Sequence, residues 1–377
     1  MQIAILGAGM VGRAMAADLS QKYSVTAFDV SGHALQLLSQ KTAAVKTIKA
    51  DLSDFSNYNT LLAHFDWVIS AVPGFMGFQT LEAVINAKKN VVDISFFPED
   101  ALELDALAKQ NHVTAIVDCG VAPGMSNLIL GYHNERMKIN SFECLVGGLP
   151  KQRVKPFEYK APFSPMDVLE EYTRPARYVE NGSLVIKPAL SDAEFVDFEH
   201  VGTLESFNTD GLRSLIFTMP NIPFMKEKTL RYPGHIELMK ALLSAGFFDE
   251  TAVDFKGQQI SPREFSSAIL FDKWKLGATE PEFTVMKITI SNDDNTICYE
   301  LFDEYDTATQ TSSMSRTTGY TATAALNMLV DKMFTEKGVF PPELVGRDEG
   351  CFNYIMEYLR ERNIVYRRTD TAARRFL

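Results

Sequence analysis

A chain of 377 residues exceeds the size at which a single hydrophobic core stops growing, so at least two domains are expected. Hydrophobic residues make up 46% and charged residues 23%, an ordinary globular mixture with no apolar run near the roughly 18–20 residues that a membrane helix needs. The net charge of -11 gives no electrostatic reason to expect nucleic acid or an anionic membrane as partner, which leaves small molecules.

Residues 2–6, QIAIL, read as a short buried strand that runs into Gly7-Ala8-Gly9-Met10-Val11-Gly12. In this GxGxxG pattern Gly7 permits a tight turn, Gly9 lets the backbone approach a pyrophosphate, and Gly12 lets the next helix pack closely on the strand. Apolar positions at helical spacing follow over residues 10–22, then a second strand, Tyr23–Asp29, that ends in an acid. Asp29 stands where the adenosine ribose hydroxyls are bound, and a carboxylate there repels the extra phosphate of NADP, so NAD is the expected cofactor. The N-terminus has no basic segment ahead of its apolar stretch, which argues against a signal peptide.

Further strands are expected at Val45–Ala50, Asp66–Val72, Asn90–Ser95 and Val113–Cys119, with helical segments at Leu61–His64, Phe78–Lys88 and Pro98–Gln110 between them. The alternation predicts an α/β fold with a doubly wound parallel sheet. Asp51 and Leu52 lie where the adenine would be met, although Asp51 reads equally well as a loop acid or helix cap. Ala71, Val72 and Pro73, after the fourth strand, are candidates to line the cofactor.

The pattern changes at Asp118-Cys119-Gly120-Val121-Ala122-Pro123-Gly124-Met125, a turn-rich stretch that opens a helix through about Met137. Downstream, half-exposed antiparallel strands are expected at Phe142–Gly147, Glu282–Ser291, Thr296–Tyr305 and Ser312–Thr317, and helices at Pro165–Tyr172, His235–Ala245, Pro262–Lys275 and Tyr320–Met333. Pro341-Pro342 breaks the chain before a last helix at Cys351–Arg362. The division expected is a dinucleotide-binding domain over 1–122, an α+β substrate domain over 123–318 and C-terminal helices over 319–377. Four scattered cysteines (Cys119, Cys144, Cys298, Cys351) and histidines without ligand spacing predict no metal site and a reducing, cytoplasmic setting with buried thiols.

Four blocks resemble the saccharopine dehydrogenase family, particularly its lysine 6-dehydrogenase-like branch. They are the glycine turn at 7–12, Asp118 to Met125, Thr229-Leu230-Arg231-Tyr232-Pro233-Gly234-His235, and Gly338-Val339-Phe340-Pro341-Pro342-Glu343. The stretch Phe207-Asn208-Thr209-Asp210-Gly211 and others between them add to the likeness, which spans nearly the whole chain. The resemblance implies a Rossmann domain, a middle α+β domain for substrate and dimerisation, C-terminal helices that return to the first domain, and a homodimer or higher homo-oligomer. It also implies hydride transfer to a nicotinamide from a carbon bearing nitrogen, followed by hydrolysis of the imine. Asp93-Ile94-Ser95-Phe96-Phe97-Pro98 departs from the glycine-rich segment of lysine 6-dehydrogenases, which leaves the substrate open.

Such chemistry needs a carboxylate clamp, a base and a positioned water. Arg231 offers a bidentate fork for a substrate α-carboxylate, or else a surface salt bridge. His235 is a proton shuttle or a helix-start residue bonded to backbone. Glu158 and Tyr159 lie in a Pro- and aromatic-rich stretch where Glu158 would bind the substrate ammonium or take its proton. Asp118, at the end of the sixth strand, faces the nicotinamide or caps the next helix. Thr209 and Asn208 supply polar contacts or form a turn. The expected activity is NAD-dependent ε-deamination of lysine to an aldehyde that cyclises. Alternatives are cleavage of the secondary amine of saccharopine, reductive formation of a carboxyalkyl polyamine, and NAD binding without catalysis.

Overall fold

In the computed structural model, which describes residues 1–162, 165–277 and 279–372, the chain forms two compact units. One comprises Met1–Ile139, Arg213–Met219 and Met314–Val365; the other comprises Asn140–Leu212, Pro220–Ser313 and the chain from Tyr366 on.

The first unit opens with β1 (Gln2–Leu6), α1 (Met10–Leu19), β2 (Ser24–Asp29), α2 (Gly32–Lys41), β3 (Val45–Lys49), α3 (Tyr58–Leu61), β4 (Trp67–Ser70), α4 (Gly74–Asn86), β5 (Asn90–Asp93), α5 (Asp105–Gln110), β6 (Thr114–Ile116) and α6 (Met125–Asn134). Short strands with apolar residues on both faces suit a sheet covered by helices on both sides. Accordingly Leu6, Phe28, Val68, Val91 and Ala115 share one buried core.

The chain then enters the second unit through β7 (Ser141–Pro150), α7 (Pro165–Thr173), β8 (Ala176–Glu180), β9 (Ser183–Lys187), β10 (Glu194–Phe198) and β11 (Gly202–Asn208). It returns to the first unit for Arg213–Met219, which carries the one-turn helix α8 (Leu215–Thr218). The second unit resumes with β12 (Phe224–Arg231), α9 (His235–Ser244), the hairpin β13 (Val253–Phe255) and β14 (Gln258–Ile260), α10 (Pro262–Trp274), β15 (Glu282–Ser291) and β16 (Asn295–Glu304). Then α11 (Ser313–Val330), β17 (Gly338–Phe340), α12 (Pro342–Val345) and α13 (Glu349–Glu361) complete the first unit, and β18 (Tyr366–Ala372) belongs to the second.

The first sheet is all parallel, in the order β17-β6-β5-β4-β1-β2-β3. The strand order reverses between β1 and β4, the switch point where open α/β sheets bind ligands beyond the carboxyl ends of the strands. The second sheet has nine strands along β10-β11-β12-β7-β15-β16-β18, with β8 against β12 and β9 against β8. It is mixed rather than purely antiparallel, because β12 runs parallel to β7. Its core gathers Tyr172, Phe207, Leu230, Trp274 and Phe283.

Further features depart from the expectations. Ser312–Thr317 is the start of the 18-residue helix α11, not a strand. Its hydroxyls mimic a period of two, yet Thr321 Oγ1 donates to the Thr317 carbonyl at 2.8 Å, the back-bonding by which a helix absorbs threonine. Helix α2 was not foreseen because it buries only Leu35 and Leu38, too few to set a periodicity. The contiguous blocks 1–122, 123–318 and 319–377 also differ from the units: α6 and Arg213–Met219 lie in the first, and β18 adds a strand to the second sheet.

Candidate active site

The glycine turn is shaped by steric demand. A Cβ on Gly7, whose φ is +100°, would lie 2.5 Å from the Ala71 carbonyl oxygen, and one on Gly12 would lie 2.0 Å from that of Gly7. Only glycine fits at either position. A Cβ on Gly9 would meet nothing within 4 Å, which leaves the space a pyrophosphate needs at the start of α1, where Met10 and Val11 begin the helix. Ala71 walls the turn and donates from its N–H to the Leu6 carbonyl at 2.8 Å; Val72 is buried beside it and Pro73 leads into α4.

Asp29 ends β2 with its carboxylate fixed toward the turn, accepting from the Ala8 N–H at 2.6 Å and the Ser31 N–H at 2.7 Å. These residues fit a dinucleotide. Asp51 instead braces its own turn: Ser53 donates to it from Oγ at 2.6 Å and from N–H at 2.9 Å, which lowers the carboxyl pKa. Leu52 is a core residue whose carbonyl accepts from the Tyr58 hydroxyl at 2.9 Å.

A second group of polar side chains lies at the carboxyl ends of β4, β5 and β6. Asp93 ends β5 fully buried and accepts from Ser95 Oγ at 2.8 Å and Ser95 N–H at 3.2 Å. Burial pushes its carboxyl up to about 7 against the hydrogen bonds of Ser70 and Ser95, with Asp118 adding to the rise. Asp118 is buried in a left-handed conformation just beyond β6. Arg213 donates to it from Nε at 3.2 Å and from Nη2 at 3.0 Å. Nη1 of Arg213 donates to the Phe97 carbonyl, and the Phe96 and Phe97 rings lie 5.0 and 5.4 Å from the guanidinium carbon. The neighbouring Cys119 thiol is pushed up by burial, and by Asp93 and Asp118, so it stays protonated and inert.

The structure brings three other expected residues together inside the second unit. Arg231, 2% exposed, donates from Nε to the Tyr172 hydroxyl at 3.0 Å, from Nη1 to the Leu230 carbonyl at 3.0 Å, and from Nη2 to Glu171 at 2.5 Å and the Tyr159 hydroxyl at 3.4 Å. His235 lies 3.0 Å from the Tyr172 hydroxyl through Nε2 and 2.8 Å from the Phe157 carbonyl through Nδ1. The carbonyl can only accept, so Nδ1 carries the proton and Tyr172 donates to Nε2. Burial, then the charge of Arg231, lowers His235 to about 3, which keeps the ring neutral. Tyr159 stacks obliquely near His235 and edge-on to Trp274.

Glu158 does not join this cluster; it pairs with Arg153 at 2.7 Å. Thr209 shares a 3.0 Å hydrogen bond with Thr229, and Asn208 accepts from the Tyr178 hydroxyl at 2.6 Å. Arg213, Asp93, Glu171 and Tyr172 were not singled out from the sequence. The one available signal for Arg213 was a lone charge inside the apolar run Gly211-Leu212-Arg213-Ser214-Leu215-Ile216-Phe217. Among the described residues no group of three or more His, Cys, Asp or Glu is placed to hold a metal, and no helix is long and apolar enough to cross a membrane.

Fold and glycine cradle define a pyridine-nucleotide-binding α/β protein with a second, mixed-sheet domain. Residues 3–116 match the saccharopine dehydrogenase NADP binding domain, and residues 120–365 match the saccharopine dehydrogenase C-terminal domain. The chain belongs to the saccharopine dehydrogenase family. Alpha-aminoadipic semialdehyde synthase of Arabidopsis thaliana is 25% identical over 55% of this chain and 21% of that protein. Saccharopine dehydrogenase [NADP(+), L-glutamate-forming] of Saccharomyces cerevisiae is 25% identical over 59% of this chain and 53% of that one. The chain thus spans about a fifth to a half of the curated relatives it first matches. Carboxyaminopropylagmatine dehydrogenase of Synechocystis is 22% identical over 92% of this chain and 93% of its own. The apo saccharopine dehydrogenase (L-Glu forming) structure from Saccharomyces cerevisiae has the same fold, with a TM-score of 0.78 at 20% identity over 98% of this chain and all of that one.

Proposed function

We propose that the protein is an NAD-linked oxidoreductase that removes hydride from an amine-bearing carbon of an amino acid, with the ε-carbon of lysine as the first substrate to test. The observation that carries this reading is the buried Asp118–Arg213 pair beyond the carboxyl end of β6. A carboxylate beside a guanidinium matches the ammonium and carboxylate of an α-amino acid, and this sheet edge is where ligands of the fold bind. The clamp role expected of Arg231 passes to Arg213 here on position: each guanidinium has an internal partner at every nitrogen, but Arg213 lies beyond the carboxyl end of a first-sheet strand, and a substrate would take over its contacts with Asp118.

A nicotinamide dinucleotide, which the glycine turn of residues 7–12 and Asp29 would hold, would supply the hydride acceptor. The chain's own residues orient the amino acid and hold charge: Arg213 the substrate carboxylate, Asp118 the ammonium. With lysine, loss of hydride leaves an imine at the ε-carbon; water adds, ammonia leaves, and the aldehyde closes on the α-amine. Asp29 supports NAD over NADP by repelling a 2′-phosphate. Arg231, Glu171, Tyr172 and His235 serve as the buried brace of the second unit, and assembly as a homodimer in a cytoplasmic setting goes with this reading.

A second reading is favoured by the names of the relatives. Saccharopine and carboxyaminopropylagmatine are secondary amines, and the alignment to the latter's dehydrogenase spans nearly both chains. Hydride would then leave a carbon of the bridging nitrogen, and hydrolysis would release an amine and a carbonyl compound. The absorbance of NADH, followed with purified protein, NAD and separate additions of lysine, saccharopine and putrescine, separates the two. Reduction with lysine supports ε-deamination, reduction with saccharopine alone supports the secondary-amine reaction, and silence with all three while NAD binds removes the catalytic claim.

A further inference from the structure

Of the family-like blocks, Gly338 to Glu343 has no part in the chemistry above and Asp118 to Met125 contributes only Asp118, yet a single buried carboxylate ties the two together. Glu343, on α12, has no exposed surface. One of its oxygens accepts from Asn127 Nδ2 at 3.0 Å, and the other lies 2.6 Å from Thr218 Oγ1. Asn127 uses its own carbonyl oxygen to hold the turn after Asp118, accepting from the Gly124 N–H at 3.2 Å and Ser126 Oγ at 3.0 Å. Thr218 closes α8, the one turn of helix that follows Arg213. The bonds therefore form a closed ring within the first unit: Asp118, its turn, Asn127, Glu343, Thr218, Arg213 and back to Asp118.

The backbone is built to place this carboxylate. A Cβ on Gly131 would lie 2.0 Å from the Glu343 carbonyl oxygen, and one on Gly346 would lie 2.2 Å from that of Leu128, so α6 and α12 touch backbone to backbone. Thr218 Oγ1 also lies 2.9 Å from the Ser214 carbonyl, so two acceptors face one hydroxyl proton. Both are satisfied when Glu343 is protonated and donates to Thr218 while Thr218 donates to Ser214. Arg213 itself sits in a seven-residue return to the first unit, with left-handed backbone at Arg213 and at Asp118, a conformation that persists only where surroundings enforce it.

We propose that Glu343 is a positioning residue for the amino-acid clamp: through Thr218 it fixes the segment that carries Arg213, and through Asn127 the turn that carries Asp118. The proposal rests on the clamp reading given above. Its test uses the full-length protein with Thr218→Val, Thr218→Ser and Arg213→Gln variants. Hydrogen exchange of the peptide covering residues 213–219 should be at least about tenfold faster in Thr218→Val, which loses the hydroxyl's contacts with both Glu343 and the Ser214 carbonyl, and unchanged in Thr218→Ser. KM for whichever of lysine or saccharopine is turned over should rise about tenfold in Thr218→Val at similar kcat, and Thr218→Ser should restore it. Wild-type exchange in Thr218→Val overturns the proposal. So does faster exchange at unchanged KM in a protein whose Arg213→Gln variant has lost substrate affinity. An Arg213→Gln variant with wild-type KM sinks the clamp reading instead, and the exchange data still decide whether Glu343 anchors the segment.

Discussion

Arg213 grips Asp118 from two nitrogens at 3.0 to 3.2 Å, and both residues hold φ at 51°. They lie 95 positions apart in sequence and are each almost fully buried. Removing one member of such a pair strands the other, which costs about 3–5 kcal/mol, whereas removing both avoids an unpaired charge. Arg213→Gln should therefore lower unfolding stability by more than the Asp118→Asn/Arg213→Gln double variant does. Denaturant unfolding of the three proteins checks this, and equal losses would mean that the pair is not coupled.

On the proposed reading, Asp29 sets the nucleotide preference. Its carboxylate is held beside the glycine turn by the Ala8 and Ser31 N–H groups, and Arg13, which donates to the Ala8 carbonyl at 3.0 Å, adds a positive charge within reach of it. Asp29→Ser should shift the ratio of NAD to NADP binding toward NADP by at least about tenfold, since repulsion is lost and Arg13 remains. Titration of both nucleotides against wild type and variant measures the ratio. An unchanged ratio would remove Asp29 as the discriminator.

The glycine turn and Asp29 were legible in the sequence because each answers a local demand: a turn, a close approach, an acid at a strand end. Arg213 was not, because its partner comes from a distant strand end and its segment is a seven-residue return that no periodicity marks. Arg231 was legible as a residue but not in its setting. Thr229-Leu230-Arg231-Tyr232 reads as a family-like block just ahead of a helix, whereas the acid and phenols that enclose Arg231 come from α7 and the stretch before it. The helical start of α11 was hidden by alternating hydroxyls, whose bonding partners lie one turn back.

Asp93 should make stability depend on pH in an unusual direction. An ordinary aspartate titrates near 3.9, while burial raises Asp93 to about 7, so between these values the folded protein binds the extra proton. Its contribution is fully present below about pH 4 and is lost as pH rises through about 7. Asp93→Asn should thus raise the melting temperature relative to wild type at pH 8 by a few degrees, with the gain fading toward pH 5. A gain of equal size at both pH values would show that Asp93 does not titrate in this window.

The brace of the second unit should respond to mutation through stability. Arg231→Met leaves Glu171 without its partner and removes the donor to Tyr172, so a loss of about 3–5 kcal/mol is expected. Calorimetric or denaturant unfolding reads this directly. If the variant instead unfolds like wild type but loses only substrate affinity, Arg231 is a ligand of the substrate and Arg213 is not the clamp.

The central claim is that hydride leaves an amine-bearing carbon for the nicotinamide. The most direct measurement supplies NAD and lysine carrying deuterium on the ε-carbon, then examines the reduced nucleotide by NMR. Deuterium on the reduced nicotinamide ring is the expected result, with ammonia as co-product. Reduced nucleotide that carries no deuterium, or none formed from lysine while saccharopine is oxidised, contradicts the lysine assignment; no reduction with either substrate contradicts the claim itself.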